Sequence, residues 1–308
     1  VSTFAGCGGS SLGYSMAGFR ELLAVEWDDN AVETFRLNFP EVPVYHDDIA
    51  ALSVEEALTL TGATVGSLDV LDGSPPCQGF STAGKRKLDD DRNQLFREFT
   101  RLLRGLQPRA FVMENVSGMV KGKMRLIFVE ILRELKACGY RVSARLLDAA
   151  YFGVPQHRQR LIFVGVREDL GVTPGHPTAL SQAIPVKQAI GHLPVGAPGN
   201  HEPQVIAAWY KSKPGQSPRK ASKHVGSFQS VRLDPNKPSN TQVKSHFNWH
   251  YAIPRQLTVI EAALIGSFPE GYRWAGGASD VKERIGNSVP PLFMRAIAEH
   301  LRETVCGA

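Results

Sequence analysis

The sequence predicts an α/β protein: a doubly wound, mostly parallel sheet, with a smaller irregular β-containing domain after it. Three observations predict this fold. Seven short apolar runs alternate with helix-period segments up to about residue 167. A glycine-rich turn separates the first run from the first helix, and the alternation stops after Arg167. Strands alternating with helices form a parallel sheet covered on both faces. With 308 residues and 43% hydrophobic content the chain can bury a substantial core, which excludes wholesale disorder.

The strand candidates, in order, are Thr3-Phe4-Ala5, Leu22 to Glu26, Val42 to Tyr45, Leu68 to Leu71, Ala110 to Met113, Tyr140 to Leu147 and Leu161 to Val166. The clearest helix runs from Arg92 to Leu106, with Leu95, Phe96, Phe99, Leu102, Leu103 and Leu106 on one stripe. Asp89-Asp90-Asp91 ahead of it suits the positive end of the helix dipole. From Pro174 to Pro254 the chain is rich in Pro, Gly, Ser, Lys and His, which reads as a linker and a small irregular domain. Helical signals then return. Thr258 and Glu261 make a capping box before Val259 to Ile265, and Pro290-Pro291 precedes a last helix through Leu301.

The net charge of +5 is unevenly spread. Residues 201–255 hold nine Lys/Arg against two Asp/Glu, more than the whole-chain excess, so the remainder is slightly acidic. A basic segment beside a neutral body predicts an anionic polymer as partner; an ordinary solvated loop is the alternative. The four cysteines, Cys7, Cys77, Cys138 and Cys306, have no C-x-x-C spacing. That argues against disulfides and a zinc site and for a reducing, cytoplasmic setting; no metal is expected. Apolar runs are too short to span a bilayer and no charged-then-apolar leader opens the chain. Its strand-like start, Val1-Ser2-Thr3-Phe4, predicts a few leading residues outside this sequence.

Phe4-Ala5-Gly6-Cys7-Gly8-Gly9 lies between the first strand and the first helix. Glycines there let a ligand approach the backbone, and the helix behind presents its N-terminus. Glu26 ends the second strand twenty positions after Gly6, the spacing at which a carboxylate takes a ribose hydroxyl pair. Trp27 offers a flat face to an adenine, and Asp48 an acceptor for an exocyclic amine. Ser11 stands where G-x-G-x-x-G has its third glycine. A nucleoside cofactor without pyrophosphate, S-adenosylmethionine, is therefore favoured over NAD or FAD, and a purely structural glycine turn stays open.

The run Ser67 to Leu71 leads into Gly73-Ser74-Pro75-Pro76-Cys77-Gln78-Gly79-Phe80-Ser81. Two prolines fix φ at consecutive positions and stiffen the turn that presents Cys77. That setting suits a nucleophile; a small buried hydrophobe is the alternative. Four more clusters follow: Met113-Glu114-Asn115-Val116 at the fifth strand's end, Gln156-His157-Arg158-Gln159-Arg160 before the antiparallel-looking Leu161 strand, Arg255-Gln256-Leu257-Thr258, and Gly286-Asn287-Ser288-Val289-Pro290-Pro291.

In that order, and over the whole length, these motifs resemble the DNA (cytosine-5)-methyltransferases of the bacterial restriction-modification type. The resemblance implies a Rossmann-like, S-adenosylmethionine-dependent catalytic domain at 1–185, a small target-recognition domain at 186–255, and helices at 256–308 that return to the catalytic domain. It implies a monomer that methylates C5 of a cytosine in a specific double-stranded DNA sequence, leaves S-adenosylhomocysteine, and is functionally paired with a restriction endonuclease. The target base lies inside the stack, so it would be flipped out.

The chemistry assigns roles within the resemblance. A thiolate adding at C6 makes C5 enamine-like, which gives Cys77 its purpose. Glu114 suits N3 and the exocyclic amine, and Arg160 suits charge at O2 and the thiolate of Cys77. Arg158 and Gln156 are expected to organise their loop and reach the sugar-phosphate, and Asn115 to shape the pocket. Cofactor contacts are implied from Phe4, Ala5, Gly6, Cys7, Gly9, Glu26, Trp27, Asp48, Ile49, Pro76, Leu95, Asn287, Ser288 and Val289. Ser81, Lys85, Arg86 and Lys87 belong to the loop expected to close over the site. Arg219, Lys220, Lys223, Arg232 and Lys244 are the expected DNA contacts of the basic region. Ile260 departs from the arginine that the family often carries in the late helix.

Overall fold

The structure is a computed structural model that describes residues 1–76, 94–120, 124–220 and 230–307. All seven expected strands form: β1 (Ser2–Thr3), β2 (Ala24–Val25), β3 (Val44–Tyr45), β4 (Val70–Gly73), β5 (Ala110–Val116), β6 (Tyr140–Asp148) and β7 (Gln159–Arg167). They make one sheet in the order β3-β2-β1-β4-β5-β7-β6. Strands β1 to β5 pair in parallel, and β7 runs antiparallel to β5. Strand β5 extends three residues beyond its apolar run, and so carries Glu114, Asn115 and Val116 into the sheet.

From β1 the chain steps outward to β3, crosses back to lay β4 on the other side of β1, and continues to β5. Parallel crossovers are right-handed, so this reversal sends the helices of the two halves to opposite faces. It also opens a crevice where the C-terminal ends of β1 and β4 diverge. Alternation along the strands divides the core accordingly. Leu23 and Val25 join a large cluster with Leu71, Phe99, Leu102, Phe111, Leu135 and Phe163. Ala24, between them, joins Ala5 and Phe35 in a second cluster.

Helix α1 (Gly9–Met16) follows the glycine loop. Helix α2 (Asp29–Asn38) starts where the Asp28 carboxylate accepts the Ala31 N–H at 2.8 Å. Helix α3 (Val54–Thr61) starts at Ser53 and stops at a left-handed Gly62. Helix α4 (Gln94–Leu106) buries Phe99, Leu102, Leu103 and Leu106, one stripe at i, i+3, i+4 and i+7. Truncating a fully buried leucine of this stripe costs about 2–5 kcal/mol. Asp89-Asp90-Asp91 and the helix start expected at Arg92 lie outside the described residues. Helix α5 (Arg125–Lys136) packs Ile131 and Leu135 into the same core.

The chain separates into two compact units: Val1–Leu147 with Gln159–Thr178 and Met294–Ala308, and Asp148–Arg158 with Ala179–Phe293. This differs from the three-part division read from the sequence. Helices α8 (Val259–Ile265) and α9 (Ala278–Asn287) stay with the second unit, as do α6 (Val186–Ile190) and α7 (Pro203–Lys211). The reason is local: the Ala262 and Ile265 carbonyls of α8 accept the side-chain amides of Gln242 and Gln156, both residues of that unit. Only α10 (Pro291–Leu301), from Met294 onward, and the residues after it return to the first unit. The capping box of α8 forms as expected, with the Glu261 carboxylate accepting the Thr258 N–H at 2.8 Å. Among the described residues, no helix is long and apolar enough to cross a membrane.

Candidate active site and cofactor cavity

The first unit holds a cavity of about 420 Å³ lined by Phe4, Val25, Glu26, Trp27, Asp47, Asp48, Ile49, Pro76, Gln94 and Leu95. It gathers the C-terminal ends of β1, β2 and β4 and the residues after β3, the place a doubly wound sheet reserves for ligands. The backbone around it is specialised. Phe4 has φ of 57° and Gly6 of 56°, and a side chain held in this region marks a constrained site.

Glu26 is the hub of the cavity wall. One carboxylate oxygen accepts the Gly6 N–H at 2.8 Å, and the other accepts the Trp27 and Asp28 N–H groups at 3.0 Å each. A carboxylate has about four acceptor directions, so three are fixed by backbone and the group is pre-oriented toward the cavity. Trp27 stands 74% exposed at the rim, its ring unspent on packing. Asp48 accepts the Ala50 N–H at 2.9 Å. Arg101 of α4 donates to the Ile49 and Leu52 carbonyls and so fixes the turn that supplies Asp48 and Ile49.

Seven residues expected at a cofactor thus line one cavity: Phe4, Glu26, Trp27, Asp48, Ile49, Pro76 and Leu95. Ala5, Cys7 and Gly9 do not line it; they are buried, and Ala5 spends its N–H on the Val25 carbonyl. Gly6 acts through its N–H on Glu26. Val25, Asp47 and Gln94 are additions that no motif marked, though Asp47 adjoins Asp48. Asn287, Ser288 and Val289 belong to the second unit.

The next strand ends carry the reactive-looking groups. In the β5–β7 register Glu114 faces Ile162 and Val116 faces Arg160. Glu114 and Arg160 are therefore diagonal neighbours on one sheet face. Arg160 Nε lies 2.6 Å from Glu114 Oε1, with side-chain exposures of only 15% and 11%. Asn115, on the opposite face, sends its side-chain amide to the Pro75 carbonyl at 3.4 Å. Pro75 is in the turn that leads to Cys77, and β4 lies beside β5 with Gly73 level with Met113. Cys77 itself lies outside the described residues, as do Ser81, Lys85, Arg86, Lys87 and Lys223.

Two expectations in the second unit are corrected by burial. Gln156 and Arg158 are each 2% exposed, which leaves neither a path to a phosphate. Arg158 donates to the Gln242 and Gly286 carbonyls, and Gln156 bonds the Ile265 carbonyl and the Gln242 N–H. They organise the loop, as expected, by stapling the residues around Gln242 to α8 and the end of α9. Gly286 must be glycine here, since a Cβ would meet the Lys244 backbone nitrogen at 2.4 Å.

Arg232 is half-buried and held by the fold: its guanidinium lies 3.8 Å from the Trp209 ring centroid and donates to the Ser212 and Tyr251 carbonyls. Lys220 is exposed and Arg219 half-buried, while Lys244 sits 3.8 Å from Glu283. Among the described residues, no group of three or more His, Cys, Asp or Glu is placed to hold a metal ion.

Comparison with known proteins adds independent findings. The model of the C-5 cytosine-specific DNA methylase family matches residues 1–201 and 200–303. The type II methyltransferase M1.HphI of Haemophilus parahaemolyticus is 36% identical, over 97% of this chain and 85% of its own length. The type II methyltransferase M.DdeI of Desulfomicrobium norvegicum is 32% identical, over 98% of this chain and 88% of its own. A crystal structure described as a prophage-encoded DNA modification methyltransferase from E. coli superposes with a TM-score of 0.84 at 26% identity, covering 99% of this chain and 98% of that one. The Spodoptera frugiperda DNMT2 structure, at 18% identity and a TM-score of 0.70, shares the fold.

Proposed function

The chain belongs to the C-5 cytosine-specific DNA methylase family, and from that premise we propose that it methylates cytosine C5 in double-stranded DNA through a transient bond between Cys77 and C6. The observation that carries this reading is the Glu114–Arg160 pair beside the strand leading to the Pro75-Pro76 turn.

Cytosine C5 is too weak a nucleophile to take a methyl group unaided. Addition of the Cys77 thiolate to C6 turns C5 into an enamine carbon. Electron density moves toward N3 and O2, and a carboxyl at Glu114, held by the Arg160 guanidinium, bonds N3 and the exocyclic amine and shares a proton there. Arg160 also offers its remaining donors to O2, and a fixed guanidinium suits a developing anion. Once C5 has taken the methyl group and carries both it and its proton, loss of that proton to a base or water expels the Cys77 thiolate from C6 and restores the ring. Asn115 positions the turn by its hold on the Pro75 carbonyl. The base must leave the duplex for any of this to occur.

The cavity fits S-adenosylmethionine, which when bound supplies an electrophilic methyl group on a sulfonium. Glu26 would take the ribose hydroxyls, Trp27 the adenine face and Asp48 its exocyclic amine. The relatives' type II character supports a partner restriction endonuclease that reads the same DNA sequence. Incubation with methyl-labelled S-adenosylmethionine and DNA tests the proposal: label at cytosine C5 is expected, and label at adenine N6, or none, overturns it.

A further inference from the structure

Asp72 lies in β4, immediately before Gly73, and is only 3% exposed. Its Oδ1 is 3.3 Å from the Tyr14 hydroxyl, and the Ser10 hydroxyl bonds the same carboxyl. Ser10 and Tyr14 are four apart on α1, so they stand one turn above the other on one helix face. The Asp72 carbonyl accepts the Thr3 hydroxyl of β1 at 3.0 Å. One acidic side chain thereby holds two turns of the helix behind the glycine loop against the strand that leads to Pro75-Pro76.

We propose that Asp72 is a positioning residue for the cofactor: its carboxylate, bridging Ser10 and Tyr14, sets the glycine loop that in turn orients Glu26 through the Gly6 N–H. The inference rests on the cofactor reading of the 420 Å³ cavity. Asp72 is not among that cavity's lining residues, and its carboxylate acts through α1.

Burial, aided by the charge of Glu21, pushes the Asp72 carboxyl up to about 7, against the hydrogen bonds from Ser10 and Tyr14. Those hydroxyls donate most strongly to the ionised form. Cofactor binding should therefore strengthen as pH rises through neutrality. An unfolded aspartate ionises near 3.8, so this acid weakens the fold as pH rises from there to about 7. A residue serving only the fold would do better as an amide. The groups facing the carboxyl are Ser10 and Tyr14 of α1 and Glu21 ahead of β2. Cys306 faces Tyr14.

Calorimetric binding of S-adenosylhomocysteine to the full chain between pH 6 and pH 8 tests this. The wild type should bind about three- to tenfold more tightly at pH 8, a gain of about 0.7–1.4 kcal/mol. Asp72→Asn should bind more weakly than wild type at pH 8 and show no pH dependence. Tyr14→Phe keeps the ring packing, removes one donor, and should move the transition to higher pH. Wild-type dissociation constants at both pH values in both variants would overturn the role of Asp72 and leave the cofactor reading intact. No binding by the wild type would overturn both.

Discussion

Arg160 Nε stands 2.6 Å from Glu114 Oε1 because two antiparallel strands bring them together diagonally, two residues out of direct register. A paired, mostly buried carboxylate is costly to break.

Glu114→Gln should lower single-turnover methyl transfer by about 10²–10⁴-fold while leaving S-adenosylhomocysteine affinity unchanged. Arg160→Lys, which keeps the charge and loses the fork, should cost about tenfold. Rapid-quench measurement of transfer to a short duplex checks both. A Glu114→Gln enzyme with wild-type rates would remove the carboxylate from the chemistry.

Glu26→Gln should raise the S-adenosylhomocysteine dissociation constant by about 10–100-fold, in line with about 1.5–3 kcal/mol for charge-assisted hydrogen bonds. At saturating cofactor, turnover should recover. Calorimetry and a cofactor-concentration series separate the two effects.

Arg255 holds Glu261 with two bonds of 2.7 Å, and both Glu261 and His250, whose Nε2 is 3.6 Å away, are 2% exposed. Burial pushes the Glu261 carboxyl up, but the Arg255 bonds and charge, with the Thr258 N–H, outweigh it and hold the group below its ordinary value. The unfolded carboxylate takes up its proton first as pH falls. The pair's stabilisation is therefore complete above the ordinary value of 4.5 and lost as pH drops through the lowered one. Glu261→Gln should cost about 3–5 kcal/mol at neutral pH, because Arg255 loses its buried counter-charge. It should also flatten the acid limb of the denaturation midpoint.

Arg232→Ala should lower the melting temperature and leave the salt dependence of DNA binding unchanged, since its donors are spent on Ser212 and Tyr251. Lys220→Ala should do the reverse. If Lys220 meets a phosphate, the slope of log affinity against log salt falls by about 0.9. Fluorescence anisotropy across a salt series decides between the two.

The legibility of the chain followed the range of the interactions. Phe4, Glu26, Trp27 and Asp48 are readable because they follow the C-terminal ends of three strands, β1, β2 and β3, and a doubly wound sheet brings such ends together without further information. The pairing of Glu114 with Arg160 needed the antiparallel register, which the Leu161 run only hinted at. Arg158 and Arg160 are two apart in one motif, yet the first is spent on internal carbonyls and the second on a carboxylate; their residue type could not tell them apart. Arg232 counted as a surface cation because nothing nearby in sequence announced Trp209 beneath it. Asp72 had no motif at all: its partners lie on a helix 58 and more positions earlier. Helix signals after residue 256 were correctly placed, but periodicity does not say which core a helix joins.

The bond proposed between the Cys77 sulfur and cytosine C6 is tested by a duplex bearing 5-fluorocytosine at the methylated position. With S-adenosylmethionine present, the protein should be trapped on that DNA as a denaturant-resistant complex, and Cys77→Ser should form none. No trapped complex with the wild type, or an equal yield from Cys77→Ser, would contradict the account.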